Sequence, residues 1–590
     1  MTLKEFLERW PWAAERPAPA KTMDWLWSWE LSVDALRLWP YLADTSAFNK
    51  RLGLGEMRFT EREGRLHGSS GGPGLRLEWV ESPWEWEYGK GLSNTRTYSK
   101  GFARFVRARY VLEEAGPGKT LLHVYFGWIP RGLSGRLLLA ASEGWIRRRY
   151  GEELARVVEA AAQDAPLPAA GPTPSLSPDS AARLASAEAA LIAEGCDPSS
   201  TRALMRHLAE APEEDLLQLK VRRLARAWGV DFKILLKAVL HATRRGVLVL
   251  SWDVVCPHCR GARLKVQTLG DVPAEAECGP CGIDFAATGL NALEATFHIH
   301  PAVRKASPRM YCAAEPATKP HIVLQRVVAP RSTQTVCTVL PAGRFRLRVQ
   351  GEKRYTLLDL GTRASIDLKN DGDEERTFVL EASALDADAL RPADLFSFQD
   401  FRDLFSEESV GQDIQLEIGF QTIIFTDVIG STKFYEEVGD PAAFAQVRRH
   451  FIKVFEVIRR HEGAVVKTIG DAALGAFERP ANAMRAAIEL QQWFNDRNQE
   501  TPLRIRISMH SGPCLAVNLN SNIDYFGGTV NLAAKMQTAV EAQQILYTEV
   551  VAADPDTQRS VAALSVKPET IDFPLKWSGG RITAFRLTVP

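Results

Sequence analysis

Two Cys-x-x-Cys pairs, Cys256-Pro-His-Cys259 and Cys278-Gly-Pro-Cys281, stand 18 residues apart, and no other feature restricts the fold of this chain so tightly. Each pair sets two thiolates on one knuckle, and the strands between must bring the knuckles together to complete a tetrahedral shell. The spacing predicts a zinc ribbon over residues 251–289, with one Zn²⁺ held by Cys256, Cys259, Cys278 and Cys281. All four positions are filled by protein, so the metal is structural and not catalytic. His258, inside the first knuckle, reads as a bystander. Eight cysteines in 590 residues are too few for a disulfide scaffold, and paired thiols of this kind suit a reducing compartment.

The chain is too long for one core, and about 150 residues per domain implies roughly four domains. Basic and acidic residues balance at 72 each, so no global field draws the protein to nucleic acid or to an anionic membrane. No stretch approaches the roughly 20 apolar residues that span a bilayer, and MTLKEFLERWPW lacks a basic segment followed by an apolar run. A cytoplasmic protein without membrane contact is expected.

Eleven of the fifteen tryptophans precede residue 150, which sets off a first domain over residues 1–163. Leu122, Val124, Phe126 and Trp128 share one strand face, as do Val106, Ala108, Tyr110 and Leu112. SVDALRLWPYLADTSAFNKRL reads as helical before these strands. A long helix with an apolar stripe of Ile146, Tyr150, Leu154 and Val157 follows them. This order, with WELSVDALRLWPYLADTSAFN in front and LEWVESPWEWEYG in the sheet, resembles the START-like helix-grip fold. The resemblance implies a curved sheet around a long C-terminal helix, and an apolar ligand of unknown identity between them.

DAPLPAAGPTPSLSP, residues 164–178, is a proline-rich linker. A helical, winged-helix-like segment follows over residues 179–250. Its basic residues Arg222, Arg223, Arg226, Lys233, Lys237, Arg244 and Arg245 suit phosphate contacts in principle. No base-reading side chains stand out, so a solvated basic face is the preferred reading and nucleic acid is not an expected partner. Beyond the ribbon, HIVLQRVV, RFRLRVQ, RYTLLDL, ASIDLKN and RTFVLEAS read as strands of a small β-sandwich-like domain over residues 290–385, with NDGDEE as a hairpin-like turn. His298, His300 and His321 match no ligand spacing. Residues 386–414 are a connector.

From residue 415 the pattern is βαββαβ, with a further helix before the last strand. FTDVIGST ends the first strand at Asp427 and opens a helix at Ile429, Gly430, Ser431 and Thr432, whose backbone amides suit phosphate. Phe444, Val447, Phe451, Val454, Phe455 and Ile458 form the apolar face of the next helix. The hairpin VVKTIGDAALGAF brings Asp471 alongside Asp427. Two carboxylates beside a phosphate cradle, with no cysteine or histidine, describe Mg²⁺ or Mn²⁺ ligation by oxygen, and a nucleoside triphosphate as guest.

FTDVIGST, VVKTIGDAALGAF and DYFGGTVNLAAKMQ, in this order, resemble the catalytic domain of class III nucleotidyl cyclases, with a ferredoxin-like core. The upstream combination ending in FQDFRDLFSEE looks like the regulatory region ahead of some bacterial cyclases. The resemblance implies that Asp427 and Asp471, helped by the Val428 carbonyl, hold two metal ions. These activate the ribose 3′-hydroxyl for in-line attack on the α-phosphorus, and pyrophosphate leaves. It further implies that Lys467 and Asp524 read the purine edge, with Lys as donor and Asp as acceptor, a polarity that suits adenine over guanine. Asn531 would position the ribose. Lys535 stands where an arginine normally braces the transition-state phosphate, which predicts a slow enzyme.

Sites of this kind span a head-to-tail dimer, so a homodimer with two equivalent sites is expected and a monomer should be inactive. The expected function is an adenylyl cyclase making 3′,5′-cyclic AMP from ATP under N-terminal control. The alternatives are a nucleotide-binding pseudo-cyclase acting as a ligand sensor, a guanylyl cyclase and a DNA-binding regulator. The expected architecture is thus a multidomain α+β chain: helix-grip domain, winged-helix-like segment with ribbon, β domain and catalytic domain over residues 415–590.

Overall fold

A computed structural model covers the chain and describes all residues except 13–21, 63–64, 73–74, 168–175, 413, 497–502, 520–521 and 576–579. Most of the proline-rich linker therefore lies outside the described residues.

The aromatic-rich strands near the N-terminus pair antiparallel in the order Met23–Leu31, Lys119–Pro130, Ala103–Gly116, Gly91–Lys100. Alternation places Trp25, Trp27, Tyr110 and Val124 on one face. The helix Gly132–Gln163 lays Tyr150, Leu154 and Val157 against that face. Rings fill the space between: Tyr150 lies 5.4 Å from Trp27 and 5.1 Å from Phe48, and its hydroxyl meets that of Tyr110 at 2.7 Å.

The segment expected to form a separate sandwich does not stand alone. Ile322–Val328 pairs with the short strand Glu85–Glu87, which joins Arg376–Ala382, Gly343–Val349 and Tyr355–Leu360 to the N-terminal strands in one twelve-stranded sheet. A ribbon of Ser332–Val339 and Arg363–Asn370 covers part of it, sharing the core of Leu324, Val336, Leu368 and Leu380. NDGDEE is not a hairpin turn, because the strands on either side of it pair in different sheets. Asn370 pins this crossing by donating to the carbonyls of Val328, Ala329 and Glu374.

Helices Val221–Trp228 and Phe232–Arg244 lead into the strand Leu248–Val255, which is the centre of a three-stranded sheet. The basic face of these helices is partly solvated, with Arg223, Arg226, Arg244 and Arg245 exposed, and its charges are also paired. Arg222 pairs with Asp394 at 2.7 Å, Arg226 with Asp388 at 2.5 Å, Arg244 with Glu407 at 2.7 Å, Lys233 with Glu462 at 3.0 Å and Lys237 with Asp400 at 3.7 Å. Arg223 and Arg245 pair with Asp215 and Glu194. Five of the seven partners belong to the connector or to the catalytic unit, so the charges dock one part of the chain on another.

The catalytic unit comprises β1 (Leu416–Val428), α1 (Ser431–Val438), α2 (Asp440–Arg460), β2 (Ala464–Ile469), β3 (Ala472–Phe477), α3 (Pro480–Asn495), β4 (Ile505–Leu519), β5 (Asn522–Phe526), α4 (Gly528–Met536), β6 (Gln544–Thr548), α5 (Glu549–Ala552), α6 (Pro555–Ala562), β7 (Glu569–Leu575) and β8 (Gly580–Thr588). The sheet runs β2-β3-β1-β4-β6-β8-β7, with β5 paired to β4. The βαββαβ pattern is present, and β5, β7 and β8 extend it. Ile424, Ile507 and Met509 pack beneath α2 and α3. On α2 the stripe is Val447, Phe451, Val454 and Ile458; Phe455, expected in the same stripe, is exposed.

The opposite sheet face is covered from upstream. Ile423, Phe425, Leu474, Ala476 and Ala516 share one core with Trp252 and with Phe396, Phe401 and Phe405 of the connector. Phe401 is fully buried, with its ring 5.3 Å from Phe405, 6.0 Å from Phe396 and 6.3 Å from Trp252.

Candidate functional site

The β2–β3 hairpin closes through Gly470 and Asp471, with Ile469 opposite Ala472. Gly470 has φ +63°, a value that a glycine at the first central position of a two-residue turn adopts without strain. The turn leaves Asp471 beside the end of β1, where Thr426 faces Ala473 and Asp427 follows. The two predicted carboxylates therefore meet at the same end of neighbouring strands. Asp471 Oδ2 is buried without a hydrogen-bond partner among the described residues, and Asp427 Oδ2 accepts from Arg506 Nε at 2.8 Å and Nη2 at 2.5 Å. A buried carboxylate oxygen left without a partner, with a second carboxylate at the same end of the neighbouring strand, is a donor set that fits a hard divalent cation.

Beside the pair, Gly430 at φ +70° turns the chain from β1 into α1. Ile429 is exposed and Ser431 half-buried; the Thr432 side chain lies outside the described residues. His450 on α2 was not singled out in the sequence. It is buried with neither ring nitrogen partnered among the described residues, and burial pushes its pKa down to about 4, with Asp471 acting in the opposite sense.

Lys467 and Asp524 form an ion pair across β2 and β5. A bulge makes this possible. Val465 faces Gly475 but Lys467 faces Leu474, so Val466 is an extra residue, and without it Lys467 would share the helix-covered face with Val465. Asp524 is buried and also accepts from the Tyr525 amide at 2.8 Å.

The connector reaches this pair directly. Arg402 Nη2 donates to the Ile523 carbonyl at 2.6 Å and to the Val466 carbonyl at 3.4 Å, the residues immediately before Asp524 and Lys467. Gln399 Oε1 accepts from the Val465 amide at 2.7 Å, and Asp403 pairs with Arg459 at 2.5 Å. Burial lowers the Arg402 pKa, with Tyr525, Asp524 and Asp403 opposing. Sequence reasoning missed Arg402, since an arginine on a short polar helix carries no signal of what it will bridge.

Asn531 and Lys535, four residues apart on α4, lie on its exposed face, while Thr529, Leu532, Ala533 and Met536 face the protein. The predicted residues thus fall into three groups: Asp427 with Asp471, Lys467 with Asp524, and the outward Asn531 and Lys535.

The four knuckle cysteines are brought together as predicted. Their sulfurs lie within 4.8 Å of one another and all are buried. Cys259 Sγ and Cys278 Sγ are 3.8 Å apart, the edge of a tetrahedron with metal–sulfur bonds of about 2.3 Å, and well beyond a disulfide length. The cluster can hold a metal ion. His258 is outside it, and its carbonyl meets His321 Nε2 at 2.6 Å.

The site is thus a mixed sheet with two carboxylates at one strand end, next to a glycine-opened helix. Residues 417–563 match the adenylate and guanylate cyclase catalytic domain, and form a class III domain of that kind. Residues 184–321 match a family of unknown function, DUF5939, across the expected boundaries at 250 and 289.

The chain is similar to human retinal guanylyl cyclase 1, with 32% identity over 133 residues, 20% of this chain and 12% of that protein. It is also similar to the receptor-type adenylate cyclase ESAG 4 of Trypanosoma brucei brucei, with 25% identity over 210 residues, 28% of this chain and 16% of that protein. This chain therefore spans less than a fifth of the length of either relative. Among solved structures, the catalytic core of a rhodopsin-guanylyl cyclase with converted specificity, in complex with ATPαS, is 21% identical, with a TM-score of 0.26 over 30% of this chain and 98% of that one.

Proposed function

We propose that this protein is an adenylyl cyclase that converts ATP to 3′,5′-cyclic AMP and pyrophosphate as a homodimer, under the control of its upstream region. The observation that carries the reading is the Asp427–Asp471 pair with its orphaned oxygen, in a domain whose relatives include both adenylate and guanylyl cyclases. Two Mg²⁺ or Mn²⁺ ions held there, with help from the Val428 carbonyl, would supply the acidity that activates the 3′-hydroxyl and the charge that carries the triphosphate. Gly430 and its neighbours present backbone amides to the phosphates. Lys467 donates to adenine N1 while Asp524 accepts from the amino group, and guanine would present each group with the wrong polarity. Asn531 holds the ribose, and Lys535 offsets charge on the reacting phosphate.

A second copy completes the site in this reading. Asn531 and Lys535 point outward, and Ile429, Ile469, Leu519 and Phe526 leave large apolar side chains exposed around the catalytic unit, a rim that suits association. The helix-grip region, the ribbon with its zinc and the connector form the regulatory part, and Arg402 transmits its state to the base-reading pair.

The deciding assay incubates the full chain with ATP and separately with GTP, in Mg²⁺ and in Mn²⁺, and quantifies cyclic nucleotide. Cyclic AMP from ATP, abolished by Asp427→Ala, is expected; GTP as the better substrate would overturn the base assignment, and nucleotide binding without product would favour the sensor alternative.

Lysine lacks the planar fork that holds two phosphate oxygens as charge shifts. Lys535→Arg should therefore raise turnover by about ten- to a hundredfold, and an unchanged or lower kcat would reject this role. Arg402→Met keeps the apolar stem but frees both carbonyls. It should reduce the ATP-over-GTP ratio of kcat/KM by about tenfold, whereas a loss of stability with the ratio intact would leave Arg402 a structural residue only.

Zinc is the metal we assign to the four cysteines. Elemental analysis should find one zinc per chain, lost in Cys259→Ser together with part of the thermal stability; a metal-free wild-type protein of full stability would contradict the assignment.

A further inference from the structure

A cavity of about 960 Å³ lies away from both the catalytic unit and the helix Gly132–Gln163, where the N-terminal strands, the cysteine knuckles and the strands after residue 322 come together. This volume is within the range of small-molecule sites. Phe59, Leu66, Val80 and Phe105 supply apolar wall, and Cys259 and Cys281 close one side.

The electrostatics of the wall are unbalanced. Glu381 is fully buried and accepts from Arg348 Nε at 3.1 Å, while Arg346 pairs with it at 2.9 Å. One carboxylate thus faces two guanidiniums. Of the acidic groups that line the cavity, Glu81 is taken by Arg96, Trp84 and Asn94, Glu315 pairs with Lys319 at 2.8 Å, and Glu61 is exposed to solvent. Arg348, 4% exposed, lines the cavity, and its Nη1 has no hydrogen-bond partner among the described residues. Buried guanidinium N–H groups are costly to leave unpaired and pair best with oxyanions.

We propose that this cavity is a binding site for an amphipathic anion, a small molecule with one carboxylate or phosphate on an apolar body, whose oxyanion pairs with Arg348 while its body lies on Phe59, Leu66 and Val80. The site is independent of the catalytic reading. It would bridge three parts of the regulatory region.

Calorimetric titration of the full chain with octanoate, octyl phosphate and octanol tests this. At least one anion should bind about tenfold or more tightly than octanol, and the tighter of the two identifies the head group. Arg348→Met should abolish that preference while octanol binding persists. Thr97→Trp, at an exposed lining position, should weaken all three without changing the melting temperature, and it decides the matter if Arg348→Met does not fold. Equal affinity for octanol and both anions, an undiminished preference in Arg348→Met, or no binding of either anion would overturn the proposal.

Discussion

The contact on which the rest of the molecule depends is the wedge of Phe396, Phe401 and Phe405 between Trp252 and the second face of the catalytic sheet. A large aromatic side chain contributes about 1.5–3 kcal/mol on burial, whereas a half-exposed ion pair contributes about 0–1 kcal/mol. The rings therefore hold the upstream region to the C-terminal unit. The pairs around them, Arg222 with Asp394 and Lys237 with Asp400, fix which part meets which. Because the core is continuous and close-packed, the connector cannot shift without moving the strands that carry Lys467 and Asp524. That is a physical basis for control of the site from upstream.

The sequence made local relations legible. Gly470 before Asp471 specified a turn, the cysteine spacing specified two knuckles that converge, and the stripe on α2 specified a helix with one buried face. Relations between distant segments were hidden. Nothing in Arg222 or Arg244 names its carboxylate partner, so the docking role of a partly solvated face was hidden. The three-residue strand Glu85–Glu87 is too short to show a period, yet it joins two sheets. Val466 looks like any other apolar strand residue, and only the pairing register reveals it as the bulge that turns Lys467 toward Asp524. Phe455 misled because a 3.6-residue period admits a wider stripe than the one α3 covers.

Lys467 and Asp524 are closed on each other, so on the proposed reading a purine must displace this contact. Lys467 is 40% exposed and Asp524 only 6%, so breaking their contact is felt mainly by the buried carboxylate. The cost is uneven. Lys467 regains water on release, but Asp524 is left buried and needs a donor, without which a desolvated carboxylate is heavily penalised. On the proposed reading this makes Asp524 the stricter of the two. A ring presenting an amino group restores its hydrogen bond, and one presenting a carbonyl leaves it facing another acceptor.

Arg402 bears on the same asymmetry. Its guanidinium sits at the carbonyls that precede both members of the pair, so it ties the two strands together beside Lys467 and Asp524. A lysine there would offer no planar fork to span two carbonyls. The outward Asn531 and Lys535 are held by a helix seated on the same sheet, since Ala533 shares the core of Phe401 and Leu474. On the proposed reading, the face that a second copy would meet and the groups that would read the base therefore rest on one aromatic wedge. In this arrangement dimer geometry and base recognition can be altered together by a single displacement of the connector.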